Sequence, residues 1–441
     1  MTSRVNHILR GSLPKLSAPT AQMIDSTVAT GIRLVLGLES ANFDSWTEAL
    51  LAAPRLHGGL SLGRATNSIL DAYLGSRYLT QPLVQMLVGT SPALPLAAKK
   101  YHESGFKSLT GMDLPPWGSN QVRGVQGKMQ KARRRAYMKG IKEKAEGGTN
   151  PSFQAHFESI IADPVGCGGF MDDLDGFDGR FKEWHGTGGN AAWVTRVALA
   201  RHVRAPVIAE GTLCRGCGDE MDVRGDHALV CRKGSGGVLG SWKIRRHDDI
   251  RDVLFRLATA AGLQPLKEVN LPTGGKRLRP GDILVRGDGG GMEARYGGRH
   301  TLNDSFMDTS YDVTITATQT LSNGSFGFSS AAGGVGSKAD TAYKNKVKKY
   351  KDLMAQWNTG GRRFQRFEPV VFETSGFSHP CARSLIWAWE KAATLRNQPR
   401  RPQSGALGTR RDLSTVIQYW NAVSIILRAG SGLLVQEPML S

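Results

Sequence analysis

The chain has 441 residues, of which 57 are Lys or Arg and 38 are Asp or Glu, so its formal net charge at pH 7 is +19. This excess of cations favours a polyanionic partner, because Lys and Arg neutralise phosphates and release their counterions. No apolar run reaches the roughly 18 residues that a membrane span needs, and the first residues lack the apolar core of a secretory signal. We therefore expect DNA or RNA, and no membrane, as the partner.

The number and distribution of the five cysteines indicate the cellular compartment of the protein. Three of them lie between 214 and 231, whereas Cys167 and Cys381 are isolated. An odd number with this distribution does not fit a disulfide framework and is typical of a reducing compartment. We therefore expect a nuclear or cytoplasmic protein that is not secreted.

Regions 1–116 and 117–210 differ in composition. In the first, "TAQMIDSTVATGIRLVLGL" places its apolar residues close to a 3.6-residue period, and the glycine turn "LHGGLSLGRA" leads into a second such segment. This region is therefore predicted to be helical. In the second, the strongly basic "QVRGVQGKMQKARRRAYMKGIKEKAEGG" is followed by a Gly-rich stretch, which predicts a basic helix and a linker.

The basic helix offers candidate contacts to nucleic acid. We select four of its cations as nucleic-acid-binding residues: Arg133, Arg134, Arg135 and Lys139. Within that segment only Glu143 and Glu146 oppose the cations. The alternative is a solvated charged face with no partner, which is common for a single basic run.

The stretch "CRGCGDEMDVRGDHALVC" has the spacing C-x2-C-x9-H-x3-C. Two thiolates on a glycine-containing turn can bind one ion, and a His and a Cys four apart on one helical turn can supply two more ligands. Three thiolates and one imidazole form a closed set that is typical of structural zinc. We therefore predict a zinc knuckle over 211–235, with the ligands Cys214, Cys217, His227 and Cys231. The alternative is a coincidental cluster of buried thiols.

Residues 243–395 predict the order helix, strand, strand, strand, helix, strand. After the helical segment "RRHDDIRDVLFRLATAAG", three short β-branched runs each lie beside one acidic residue: Glu268, Asp282 and Asp312. This is the order of a small α/β endonuclease core, in which strand-end carboxylates hold Mg²⁺ or Mn²⁺ and a lysine stabilises developing charge. Solvated or helix-capping carboxylates are the alternative. Residues 396–441 predict a basic tail and a C-terminal helix.

The motifs between 214 and 376 resemble those of one family. The run from "CRGC" through "GDHALVC", then "RHDDIRDVL", "RPGDI", "YDVTIT", "KKY" and "VFETSG", is similar to the C-terminal region of non-LTR retrotransposon reverse transcriptases. The N-terminal "LHGGLSLGRATNSILDAYLGS" is similar to the stretch after their polymerase palm, whereas residues 100 to 200 match loosely. The resemblance implies a CCHC zinc knuckle, with the four ligands named above, followed by a restriction-like PD-(D/E)XK endonuclease.

The resemblance also implies roles for individual acidic residues. It makes Asp282 the first magnesium-binding aspartate of the nuclease, although Gly281 intrudes between Pro280 and Asp282. It makes Asp312 the second magnesium ligand and Glu268 the early acid. These three residues are therefore the predicted catalytic acids.

The lysine of the motif is missing. It is expected two residues after Asp312, where this chain has Thr314. Some enzymes of this fold take the lysine from the neighbouring helix, so Lys346 or Lys349 could fill the role, and we select Lys349 as the fourth catalytic residue. A nuclease without any lysine in the site would have impaired cleavage activity.

A polymerase palm is not recognisable. The segment "FMDD" at 170 to 173 follows no apolar strand and is predicted to be a loop, so reverse transcriptase activity is not expected from this chain. The predicted fold is mixed α+β: a helical N-terminal region, a small zinc knuckle and an α/β restriction-endonuclease-like domain. The predicted function is that of a retroelement-derived nucleic-acid-binding protein whose metal-dependent endonuclease nicks target DNA for retrotransposition. The alternative is a non-catalytic, zinc-containing remnant that binds DNA or element RNA.

Overall fold

The structure is a computed structural model. It describes residues 14–38, 45–53, 59–60, 62, 65–66, 69, 72–73, 76, 86–87, 103–108, 110–113, 125–146, 151–172, 191–231, 238–268, 271–273, 276–278, 281–286, 308–317, 319–322, 325–328, 335–358, 365–396 and 408–435. Within these residues the fold is mixed α+β, mostly helical with a small four-stranded sheet, which confirms the predicted fold class at this level. None of the described helices is both long enough and apolar enough to cross a membrane.

The chain divides into two compact units, Met1–Arg55 with Gly59–Gly148, and Leu56–Gly58 with Thr149–Ser441. The first unit contains the helices α1 (Pro14–Leu36), α2 (Ser45–Ala52) and α3 (Val125–Glu146). Ala21 on α1 packs against Ala65 and Ile69, both of which are helical as well. The described part of 1–116 is therefore helical, as its periodicity predicts.

The second unit begins with short helices. They are α4 (Pro151–Ala162), α5 (Pro164–Gly168), a 3-10 turn (Gly169–Asp172) and α6 (Ala191–His202). The sequence predicts a linker within 117–210, whereas α5, the turn and α6 pack against the C-terminal helix, Gly408–Ala429. Their helical pattern is hard to recognise because small residues such as Gly166 and Gly168 fill the buried positions. The first two residues of "FMDD", Phe170 and Met171, are buried in the turn.

Helices α7 (Asp226–Val230) and α8 (Val238–Ala260) lead into the strands. The strands are β1 (Pro265–Lys267), β2 (Leu271–Thr273), β3 (Lys276–Leu278), β4 (Ile283–Val285), β5 (Asp308–Thr316), β6 (Gln319–Ser322), β7 (Ser325–Phe328) and β8 (Gln365–Glu373). Strands β2–β3 and β6–β7 form separate antiparallel hairpins.

The four-stranded sheet has the order β1-β4-β5-β8. Strand β4 is antiparallel to β1 and β5, whereas β5 and β8 are parallel. A parallel pair needs a long crossover connection, and helix α9 (Ser337–Asn358) lies in it and packs on β8 and β5. The order helix, strand, strand, strand, helix, strand that the sequence predicts is present, with the two hairpins inserted into it. It places Asp282 directly before β4 and Asp312 on the neighbouring strand β5.

Two helices, α10 (Pro380–Arg396) and α11 (Gly408–Ala429), complete the unit. Residues 413–425 of α11 are all buried, so this helix lies in the core. Buried polar groups need hydrogen-bond partners. Gln418 donates to the carbonyl of Ser375 at 2.9 Å, and Asn421 donates to that of Thr374 at 2.7 Å. Helix α11 is thereby bonded to the turn that follows β8.

Candidate functional site

A tight turn places the first two cysteines of the predicted knuckle. The amide of Gly218 donates to the carbonyl of Cys214 at 2.8 Å, and the amide of Cys214 donates to the carbonyl of Asp219 at 2.8 Å. The amides of Gly216 and Asp219 also point at sulfur, each 3.4 Å from the Sγ atoms of Cys214 and Cys217 respectively. Amide donors of this kind stabilise thiolates, so each sulfur of the turn has one donor that favours its ionised form.

Helix α7 carries the histidine and leads into the third cysteine. The Asp222 carboxylate accepts hydrogen bonds from the amides of Asp226 at 3.1 Å and His227 at 2.6 Å, which caps the start of this short helix. The amide of Cys231 donates to the carbonyl of His227 at 2.9 Å and closes the turn. His227 and Cys231 therefore lie on one face, as their spacing predicts.

The four ligand atoms converge. One ligand atom from each of Cys214, Cys217, His227 and Cys231 lies within 4.8 Å of all the others, and no other group of three or more His, Cys, Asp or Glu in the described residues meets this distance. The Sγ atoms of Cys214 and Cys231 are 4.0 Å apart, and the Sγ of Cys217 is 3.1 Å from the Nε2 of His227. Two thiolates bound to one tetrahedral zinc are roughly 3.8 Å apart, so this group could hold an ion such as zinc.

The protonation states fit a metal centre. Burial raises the pKa of the Cys214 thiol, but hydrogen bonds from Arg428 and from backbone amides outweigh it, so the pKa lies below its usual value. Burial raises the pKa of Cys217 to about 12, so this thiol needs a cation to ionise at neutral pH. Burial and then Arg428 lower the pKa of His227, which keeps the imidazole neutral and able to bind a metal.

Asp282 lies at the start of β4, directly beside β5. Its amide donates to the carbonyl of Tyr311 at 2.8 Å, which continues the β4–β5 pairing to this residue. Its Oδ2 accepts two hydrogen bonds, from the amide of Val313 at 2.7 Å and from the Nε2 of His247 on α8 at 3.1 Å. The carboxylate is therefore held by both the next strand and the preceding helix.

Gly281, which separates Pro280 from Asp282 in the sequence, lies close against β5. A Cβ atom at this position would lie 2.4 Å from the Oγ of Ser310 and 2.6 Å from the carbonyl oxygen of Tyr311. The chain can thus approach β5 this closely only without a side chain. The glycine allows Asp282 to enter the sheet beside β5.

Asp312 lies on β5 and is buried. Its Oδ2 is 2.7 Å from the Nζ of Lys346 on α9 and accepts a hydrogen bond from the Thr314 hydroxyl at 3.0 Å. The Nζ of Lys349 lies instead over the ring of Tyr350, 5.1 Å from its centroid. Of the two lysines that the sequence nominates, the structure thus brings Lys346, and not the selected Lys349, to the carboxylate.

Glu268 is next to Asp282 through the backbone, since its amide donates to the carbonyl of Asp282 at 3.0 Å. Its φ angle is +48°, in the left-handed region that non-glycine residues seldom adopt. Its carboxylate forms an ion pair with Arg251 on α8. Glu268, Asp282 and Asp312 do not form a three-ligand group among the described residues. The structure therefore offers two carboxylates and one lysine, rather than three converging acids.

The predicted nucleic-acid contacts lie on α3 in the first unit. Tyr137 fixes this helix to α2 by donating to the carbonyl of Ala49 at 2.8 Å. Arg135 and Lys139 are exposed, and the Nζ of Lys139 is 3.5 Å from Glu143. Arg133 and Arg134 belong to the same helix, but their side chains lie outside the described part of the chain. The role of these cations remains a prediction.

Two residues gain importance from the structure. His247 lies in "RRHDD", where the sequence allows a phosphate contact, but its hydrogen bond to Asp282 spans 35 positions. Arg428 reaches Cys231 across 197 positions. Local sequence patterns do not predict contacts between residues so far apart in the chain. These two contacts form only when α8 packs beside Asp282 and α11 packs beside Cys231.

The comparisons with known proteins do not identify a family. No protein-family model matches the chain, and no curated protein matches it. The likeness to non-LTR retrotransposon reverse transcriptases therefore rests on the motifs quoted above. Within the described residues the candidate sites are the Cys3His group, which could hold a metal, and the Asp312–Lys346 contact on the strand next to Asp282.

Proposed function

We propose that this chain is a retroelement-derived nucleic-acid-binding protein with a metal-dependent DNA endonuclease site in its second unit. The observation that carries the proposal is the contact between Lys346 and Asp312, one strand away from Asp282. The order of helices and strands around these residues supports a restriction-endonuclease-like domain. A lysine supplied by α9 also compensates for Thr314 at the motif's lysine position.

Asp282 and Asp312 would hold Mg²⁺ or Mn²⁺, since both ions prefer carboxylate oxygens. When bound, such an ion supplies a Lewis acid that activates water against a phosphodiester. Each carboxylate is held through its Oδ2, and no described residue donates a hydrogen bond to either Oδ1. One fixed and one open oxygen suit a metal ligand that must not rotate. Lys346 offers a cation for the charge that develops on the phosphate.

The Cys3His group would hold zinc in a structural role, as a knuckle. Four protein ligands close the coordination sphere, which leaves no position for substrate. The knuckle stretch is too short to build a core of its own, so the metal would contribute to its folding. Zinc would then organise the protein without taking part in cleavage.

DNA or element RNA is the partner that we propose. The net charge of +19 and the exposed cations of α3 support a polyanion. Nicking of target DNA would take place in the nucleus, where we propose that the protein acts. We do not propose reverse transcription, since no polymerase palm is recognisable in the sequence.

One specific observation favours the alternative, a binding protein without catalysis. Arg251 pairs with Glu268, and no third carboxylate joins Asp282 and Asp312 within ligand distance in the described residues. An enzyme would have to bind its metal with two protein carboxylates and water or DNA oxygens. A remnant would keep the zinc and the basic helix and lose cleavage.

Affinity and cleavage, measured on the same labelled duplex, separate the two functions. Affinity is measured in Ca²⁺ and cleavage in Mg²⁺, for the wild type and for Asp312→Asn. The endonuclease predicts that both proteins bind and that only the wild type cuts. Binding without cleavage by the wild type, in Mg²⁺ and in Mn²⁺, would leave the binding protein as the function. Divalent ions should be removed by dialysis, because a strong chelator would also remove zinc.

A further inference from the structure

The C-terminal helix contributes a buried cation to the Cys3His centre. Arg428 is 1% exposed. Its Nη1 atom is 3.0 Å from the Sγ of Cys231 and 3.4 Å from the Sγ of Cys214. The backbone carbonyl of Arg428 also accepts a hydrogen bond from the amide of Arg215 at 3.0 Å. Arg215 lies in the turn between the ligands Cys214 and Cys217. One residue of α11 thus binds both halves of the centre.

The net charge of the metal-bound centre makes a buried cation favourable at this position. Three thiolates and a neutral imidazole around one Zn²⁺ carry a net charge of about −1. A buried charge is costly unless it is paired and hydrogen-bonded, and the Arg428 guanidinium supplies both the opposite charge and the donor. The metal-bound centre and the buried arginine therefore stabilise each other.

The same helix end is fitted to the knuckle at two further points. The Ser424 hydroxyl donates to the carbonyl of Ala228 on α7 at 3.0 Å. Gly225, at a φ angle of +75°, lies so close to Ile425 that a Cβ atom would be 2.9 Å from its side chain. Helix α11 therefore forms one wall of the metal centre, and the predicted knuckle is not a self-contained module.

About two turns before Arg428, α11 bonds to the turn after β8 and to α8. Arg246 donates to the Oδ1 of Asn421 at 2.7 Å, and Asn421 donates to the carbonyl of Thr374 after β8. The indole of Trp420 donates to Asp249 at 2.9 Å. A change in how α11 is docked at the metal centre would therefore reach the elements that carry the acidic site.

We propose that metal binding at the Cys3His centre and docking of the C-terminal helix α11 are one coupled equilibrium, with Arg428 as the residue that couples them. Such coupling is reciprocal, so the metal stabilises the docked helix and the docked helix tightens metal binding by the same factor. This inference does not depend on the proposed nuclease, because it concerns the zinc centre alone.

The first test measures metal affinity. Zinc binding to the full chain is measured by competition with a chromophoric chelator, and Co²⁺ spectra report whether all four ligands bind. Arg428→Met should weaken zinc binding by about 10- to 100-fold, the range found when groups that support metal ligands are removed. Arg428→Lys, which retains the charge, should recover part of the loss. The control is Arg256→Met, since Arg256 is an exposed cation on α8 of the same unit.

The second test needs no variant and so does not depend on the folding of Arg428→Met. Amide hydrogen exchange of residues 413–429 is compared in the zinc-loaded and zinc-free wild type. Coupling predicts faster exchange throughout α11 after zinc removal. Unchanged exchange in α11 on zinc removal, or wild-type zinc affinity in Arg428→Met, would overturn the inference. Neither readout uses DNA, so failure of the endonuclease would leave this test unaffected.

Discussion

The Nζ atom of Lys346 on α9 lies 2.7 Å from the Oδ2 of Asp312 on β5. The Thr314 hydroxyl donates to the same oxygen from the strand. In the nuclease motif that the sequence resembles, a lysine stands at the position of Thr314, whereas here a cation reaches the carboxylate from the helix. The proposed nuclease therefore depends on Lys346, and this dependence can be measured.

Replacing Lys346 by Ala should lower DNA nicking by roughly 100-fold, the cost of removing one group that stabilises developing charge. Lys349→Ala is the matched control, because Lys349 belongs to the same helix and its ammonium lies over Tyr350. Lys349→Ala should leave the nicking rate close to that of the wild type. A loss in Lys349→Ala with normal nicking by Lys346→Ala would restore the selection made from the sequence.

Replacing Gly281 by Ala should destabilise the second unit by about 1–3 kcal/mol, since the added methyl overlaps Ser310 and the backbone of Tyr311. The displaced strand would also carry Asp282 away from β5, so nicking should fall with stability. Urea unfolding gives the free energy. Gly408→Ala is the control: an added Cβ there meets nothing within 4 Å, and its effect should stay within about 0.5 kcal/mol. Equal stability of both variants would contradict the close approach.

The pKa of His247 should report its contact with Asp282. The hydrogen bond to Asp282 raises this pKa above its usual value, burial opposes the shift, and Asp248 adds to it. The pair therefore stabilises the fold fully below the usual pKa of histidine, and this contribution is lost as pH rises through the raised pKa. Asp282→Asn should lower the pKa, which an NMR titration without Mg²⁺ can follow. An unchanged titration midpoint would mean that the two side chains do not interact in solution.

Replacing Arg135 and Lys139 together by Ala should weaken DNA binding at low salt. The slope of log affinity against log salt should become shallower by about 2, if both cations contact phosphates. Glu143→Gln is the control of opposite sign. The Glu143 carboxylate lies 3.5 Å from the Nζ of Lys139 and weakens its attraction for phosphate, so this variant should bind DNA at least as tightly as the wild type. An unchanged slope in the double variant would identify α3 as a solvated charged face.

Local patterns predict the parts of this structure that depend on neighbouring residues. The spacing of Cys214, Cys217, His227 and Cys231 needs only a turn and a helix end, and the structure brings all four ligand atoms together. The order of helices and strands in 243–395 follows from short periodic segments. Gly281 shows the limit of this approach, because its close approach to β5 cannot be predicted from neighbouring residues.

Tertiary packing decides what the sequence leaves open. Lys346 and Lys349 are three positions apart on α9, so helical periodicity places them on adjoining faces and does not choose between them. Helix α5 buries the small residues Gly166, Cys167 and Gly168 and packs against α11, which gives it little hydrophobic pattern. Arg428 contacts Cys214 and Cys231 only because α11 packs against the Cys3His group. The two hairpins, β2–β3 and β6–β7, likewise have no counterpart in the predicted order.

The most direct measurement is nicking of a supercoiled plasmid by the zinc-loaded wild type and by Asp282→Ala in Mg²⁺. Asp282 is the carboxylate held by both β5 and α8, so its removal takes away the proposed metal ligand with the firmest support. The account predicts open circles from the wild type, none without divalent ions, and a loss of nicking in Asp282→Ala with DNA binding retained. Nicking at the same rate by Asp282→Ala, or none by a wild type that binds the plasmid, would contradict it.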